Sequence, residues 1–152
     1  MTDQFFMQEA LKQAQLAAKA DEVPVGAVIV HEKKIIARAH NQVEMLKDPT
    51  AHAEMIAITQ ATSQLSRKWL QGCVLYVTIE PCSMCAGALV LSRIKKIFFG
   101  AKDPKTGACG SVINIAQHKQ LNHQIDVQGG MLEDICGSLL TGFFAKKRAL
   151  LN

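Results

Sequence analysis

The chain has 152 residues, 49% of them hydrophobic, 20% charged, and a net charge of +4. That size suits a single compact domain spanning 1–152 with a substantial core. No stretch approaches the ~18 apolar residues of a membrane span, and no basic segment precedes an apolar one at the N-terminus, so neither a membrane role nor a secretory signal is expected.

Phe6, Ala10, Leu11, Ala14 and Ala18 recur at helical spacing and predict an amphipathic helix over 3–20, interrupted by Pro24. Residues 25–30 and 35–39 read as two short strands joined by a polar Glu32-Lys33-Lys34 turn. A loop over 42–49 then leads into a helix capped by Thr50 and running to about residue 61. The apolar, β-branched run 74–79 suits a buried strand, and Pro81 suits the first turn of a helix ending near Ser92. Residues 97–100 form another strand and 125–127 a weaker one. A helix over 131–151 closes the chain, with an apolar stripe at Leu132, Ile135, Leu139 and Phe143. Helices alternating with short strands predict an α/β fold, a three-layer α/β/α sandwich around a mixed, roughly five-stranded sheet.

Charge is unevenly spread. No acidic residue follows Asp134, while Lys146, Lys147 and Arg148 cluster near the end and Arg93, Lys95 and Lys96 form a second group. Taken alone, each cluster reads as a solvated face. A polyanionic substrate would give them a role, because phosphates need such a rim.

The chemistry concentrates in two short motifs, His52-Ala53-Glu54 and Pro81-Cys82-Ser83-Met84-Cys85. His52, Cys82 and Cys85 are zinc-type ligands. A structural zinc site is closed by four protein ligands, whereas a catalytic one keeps a position open for water. Closing this set would take Cys73, Cys109, Cys136 or another histidine, and none has a supporting spacing. Those three cysteines read as small buried hydrophobes. Five cysteines with a Cys-x-x-Cys fit a reducing compartment, so a cytoplasmic location is expected.

Cysteines three apart at a helix start share a face, and the helix N-terminus favours thiolate over thiol. Two thiolates and a neutral imidazole bring a divalent ion to formal charge zero. Water at its open position is then harder to ionise than at a three-histidine site, so a local base is valuable. Glu54 lies about 200° around a regular helix from His52. It therefore suits a place over the open position as proton shuttle rather than as a fourth ligand. His31 and His40 flank strands, His118 and His123 fall in a polar surface stretch, and the segment 105–111 reads as a turn edging a cleft.

His-x-Glu followed by Pro-Cys-x-x-Cys matches the signature of zinc-dependent nucleobase deaminases. Beyond it, the runs Pro24-Val25-Gly26-Ala27-Val28, Asp48-Pro49-Thr50-Ala51-His52-Ala53-Glu54 and Leu75 to Cys82 carry a closer likeness. So do Met84-Cys85-Ala86-Gly87-Ala88, Asn122-His123 and the closing Phe143-Phe144 with Arg148. Over nearly its whole length the chain resembles the bacterial tRNA-specific adenosine deaminase family, within the cytidine deaminase-like fold. The resemblance implies hydrolysis of adenosine to inosine at wobble position 34 of a tRNA anticodon stem-loop, by a homodimer with one Zn²⁺ per subunit. It makes His52, Cys82 and Cys85 the zinc ligands and Glu54 the proton shuttle. It also implies that Asn41 and the backbone of Ala53 hold the base, that Asp103 and Lys105 lie near anticodon nucleotides, and that Phe143, Phe144 and Arg148 belong to the RNA-facing helix. Ser83 departs from the aliphatic residue common in relatives, with no expected effect on the chemistry.

Two other readings stand beside this one: a deaminase of free bases or nucleosides of the guanine or cytosine type, and a catalytically silent RNA-binding subunit. The first would share the metal site and differ at the rim. The second leaves Glu54 without a purpose.

Overall fold

The computed structural model describes residues 1–151; residue 152, the last of the predicted domain, lies outside them. Its centre is a five-stranded mixed sheet in the order β2-β1-β3-β4-β5. Strands β1 (Gly26–His31) and β2 (Lys34–His40) form an antiparallel hairpin, and β3 (Cys73–Ile79) pairs antiparallel with β1. β4 (Lys96–Ala101) and β5 (Asp126–Gln128) continue the sheet in parallel with β3. The hairpin turns at Glu32 and Lys33, both with positive φ, as the two-residue turn matching strand twist requires.

Alternation along the strands feeds two cores. Ala27, Ile29, Leu75, Val77, Ile97 and Phe99 face α3 (Ala53–Leu65) and α4 (Ser83–Leu91). Val28, Val30, Tyr76 and Phe98 face α1 (Asp3–Lys19) and α5 (Glu133–Leu151). The predicted three-layer sandwich is thus the observed one. Ala53, Ala57 and Ala61 recur every fourth residue, letting α3 lie close on the sheet. On the other face Tyr76 stacks on Phe98 at 4.9 Å, and its hydroxyl donates to Asp3 Oδ1 at 2.6 Å.

The local differences have physical causes. Within the predicted loop 42–49 lies a single helical turn, α2 (Val43–Leu46). Buried Glu22 holds it by accepting the N–H groups of Glu44 and Met45. Thr50 does not cap α3, because its N–H and hydroxyl both donate to Asp48. His52 takes the N-cap position, and the helix runs on to Leu65. Pro81 likewise stays outside α4: Cys82 is the N-cap, and the Pro81 carbonyl accepts the N–H of Ala108.

The stripe of α5 holds at Leu132, Leu139 and Phe143 and differs at one position. Ile135 is 56% exposed and Cys136 is buried in its place. A Cβ on Gly100 would overlap the Cys136 sulfur, so this glycine and the small thiol together let α5 cross close over β4.

Candidate metal centre and catalytic cavity

Two helix N-termini meet at the C-terminal end of β3. His52 caps α3 and Cys82 caps α4, both in extended conformation and neither making a side-chain cap bond. Their side chains are therefore free to converge, and Cys85 joins them from the first turn of α4. The ligand atoms of the three residues lie within 4.8 Å of one another. His52 Nδ1 stands 3.7 Å from Cys82 Sγ and 3.5 Å from Cys85 Sγ. Tetrahedral zinc with ordinary Zn–S and Zn–N bonds needs N···S edges of about 3.6 Å. Donor chemistry and spacing both fit such an ion, and among the described residues no further His, Cys, Asp or Glu joins the group.

Electrostatics agree with a metal-binding role. A hydrogen bond from Cys85 chiefly, helped by His52, holds the Cys82 thiol down at about 4. Cys85 is pushed far above the usual thiol range because it donates to Cys82 and is buried. The His52 imidazole is raised, first by its hydrogen bond with Cys82. The two sulfurs thus share one proton, which a cation would replace.

Glu54 is 3% exposed, and burial pushes its carboxyl up to about 7. It lines a cavity of about 1200 Å³ together with His52, Cys82 and Asn41. Asn41 Oδ1 accepts the N–H of Ala53 at 2.8 Å, fixing the start of α3. Ala53 is itself fully buried behind that bond, and what reaches the cavity beside Glu54 is Asn41.

The rim gathers part of the predicted set. Asp103 and Thr106 form one wall, Leu140, Phe143, Phe144 and Lys147 another. Asp103 accepts from the N–H groups of Lys105 and Thr106 and from the Thr106 hydroxyl, which ties its loop into a tight turn. Lys147 pairs with Asp21 at 2.7 Å across the rim. Lys105 and Arg148 are exposed and lie outside the cavity lining. The Arg93 cluster sits at the opposite end of the sheet, where the Arg93 guanidinium packs over Trp69 and Lys96 pairs with Asp126. Cys73, Cys109 and Cys136 are buried, as expected of small hydrophobes.

Two buried carboxylates, Glu22 and Glu80, have no role assigned from the sequence, although Glu80 lies within the run Leu75 to Cys82. Both shape the cavity by accepting backbone N–H groups from segments distant in sequence. For Glu80 the one local signal is a lone carboxylate directly after the apolar run of β3.

Cys82→Ala is expected to leave the purified chain without stoichiometric zinc, as measured by metal analysis. Two ligands and an open site do not make a tight zinc centre.

A three-ligand metal centre with a buried carboxylate beside it, carried on helix N-termini over a mixed sheet, defines the class of hydrolytic nucleobase deaminases. Residues 1–148 match the MafB19-like deaminase family. The tRNA-specific adenosine deaminase of Aquifex aeolicus is 52% identical over 148 residues, covering 97% of each chain. A solved structure from work on A-to-I editing by tRNA:A34 deaminases at the wobble position superposes with a TM-score of 0.86 at 42% identity, covering 90% of this chain and 99% of that one. Guanine deaminase from Bacillus subtilis is more distant, with a TM-score of 0.64 at 40% identity over 67% of this chain and 66% of its own. The chain belongs to the tRNA-specific adenosine deaminases.

Proposed function

We propose that this protein hydrolyses adenosine to inosine at position 34 of a tRNA, releasing ammonia, and that it works with one zinc ion per subunit. The observation that carries this reading is the placement of Glu54, buried beside three metal ligands at the floor of a cavity that runs out to Phe143, Phe144 and Lys147. Bound by His52, Cys82 and Cys85, zinc would supply Lewis-acid polarisation of a water. Glu54 takes the proton of that water as it attacks C6 of the base and delivers it to N1. The carboxylate then takes the second proton, from the new C6 hydroxyl, and gives it to the amine, which leaves as ammonia as the carbonyl of inosine forms. Asn41, held by Ala53, keeps the ring in register with Glu54.

The substrate follows from the shape and from the relatives. Extruding a base from an anticodon loop costs little, because the loop is already single-stranded. A cavity open along α5 admits the flanking nucleotides, and Asp103 and Thr106 line the side they would pass. Lys105, Lys146 and Arg148 stand outside it, where a phosphate backbone would run. The cavity, at about 1200 Å³, is far larger than one base fills, and that extent favours the polynucleotide.

The test is incubation with an adenosine-34 anticodon stem-loop, free guanine and cytidine. Deamination of the stem-loop alone is the expected result, and turnover of guanine alone would overturn the reading. Stem-loop binding should weaken about twentyfold between about 50 and 200 mM salt if three cations meet phosphates. Salt-independent affinity would remove the basic residues from the interface. The same reading makes the protein a cytoplasmic homodimer. Exposed Leu91, Val112 and Ile113 supply apolar surface for a second subunit, and sedimentation measures the state.

A further inference from the structure

Glu80 is 2% exposed and among the described residues has no cationic partner within salt-bridge distance. It lies between the strand that ends at Ile79 and the metal ligand Cys82. Four donors converge on its carboxylate, all from the segment 103–111. Oε1 accepts the N–H of Asp103 at 3.1 Å and the hydroxyl of Ser111. Oε2 accepts the N–H groups of Cys109 and Ser111, each at 3.0 Å. The segment wraps this carboxylate as a shell wraps an anion, and buried acceptors satisfied so completely are costly to disturb.

The same segment is tied to the metal ligand. Gly107 forms an isolated bridge with Cys82, and the N–H of Ala108 donates to the Pro81 carbonyl at 2.9 Å. Gly107 has no room for a side chain, since a Cβ there would lie 2.5 Å from the Glu80 carboxylate. One end of the loop therefore touches the metal side of the site, and the other presents Asp103 and Thr106 to the cavity. Glu80 is the group both ends share.

We infer that Glu80 is a positioning residue that sets the distance between the Asp103–Thr106 wall and the metal centre, and so governs substrate fit without touching substrate. The inference rests on the proposed reaction and on the reading of Asp103 as a residue facing the anticodon loop.

Glu80→Gln isolates this role. Two backbone N–H groups point at the Oε2 position, so the amide oxygen must take that side. The amide nitrogen then falls at the Oε1 position, where the Ser111 hydroxyl can turn to accept from it. Only the N–H of Asp103 is left facing another donor. The substitution thus loosens Asp103 and spares the rest of the shell.

In the full-length zinc-loaded chain, Glu80→Gln is expected to raise KM for the stem-loop about tenfold, the scale of one lost hydrogen-bonded contact at the displaced wall, with kcat held within about threefold. Zinc content should stay at the wild-type value. Asp103→Ala is measured alone and in the Glu80→Gln background. If Glu80 acts through Asp103, the double variant is no worse than the more affected single one. Multiplying effects, a fall in kcat at unchanged KM, or loss of zinc would each overturn the inference. If Glu80→Gln does not fold, Ser111→Ala removes one donor to the same oxygen and takes its place beside Asp103→Ala. It should raise KM about threefold, and a double variant in which the two effects multiply would again overturn the inference. Absence of stem-loop deamination by the unaltered protein would defeat the proposed reaction instead, before any variant is compared.

Discussion

Glu54→Gln is expected to reduce single-turnover deamination of an adenosine-34 stem-loop by about a thousandfold, within the range that positioned acid–base groups contribute. Gln has the shape of Glu and cannot exchange protons, so the loss isolates proton transfer from packing. Zinc content and thermal midpoint should hold. The carboxylate is not among the clustered ligands, and burial already disfavours its charged form, so removing the charge does not unfavourably alter the fold. Residual turnover within tenfold of the unaltered protein would sink the assignment. The contrast with Cys82→Ala is diagnostic, since one substitution removes chemistry at constant metal and the other removes the metal.

The second large effect falls on the fold. Gly26 opens β1 beneath α1, and a Cβ there would overlap the carbonyl oxygen of Ala10 and the amide nitrogen of Ala14. Both obstacles are helix backbone, which cannot step aside as a side chain can. Gly26 also donates its N–H to Thr78 Oγ1 at 3.1 Å, so the strand cannot readily retreat either. Gly26→Ala should cost about 3 kcal/mol or more, the upper part of the range for overpacked cores. For a chain of this size that lowers the thermal midpoint by about 10 °C. Denaturant and heat unfolding would both report it, and a midpoint within about 2 °C of the unaltered protein would mean α1 tolerates displacement.

Sequence patterns anticipate the site better than they anticipate its supports. The ligands and Glu54 sit in two short motifs whose spacing reflects chemistry, so they can be read locally. The strands can be read because both sheet faces are buried and β-branched residues run continuously. Glu22 and Glu80 cannot, since their partners lie about twenty to thirty positions away and nothing in their neighbourhoods encodes those bonds. The same holds for α2, a turn held by Glu22 rather than by its own periodicity. The buried face of α5 differs by one residue from its apolar pattern because Gly100, on another element, decides which side chain fits against the sheet. Local pattern also puts His52 and Cys82 inside helices that in fact begin one residue later. That shift matters, because a cap residue in extended conformation can turn its side chain toward a neighbouring helix start.

That arrangement also orders events on the folding pathway. His52 and Cys82 are thirty positions apart, and α3 and the whole of β3 lie between them. Their helix starts come together only once β3 has threaded beside β1, a pairing of distant segments whose loop-closure entropy must be met first. A chain that has made only the first hairpin and α1 therefore holds His52 apart from Cys82 and Cys85. Cys82 and Cys85 are neighbours in sequence, but the full three-ligand set exists only once the sheet has brought His52 to them.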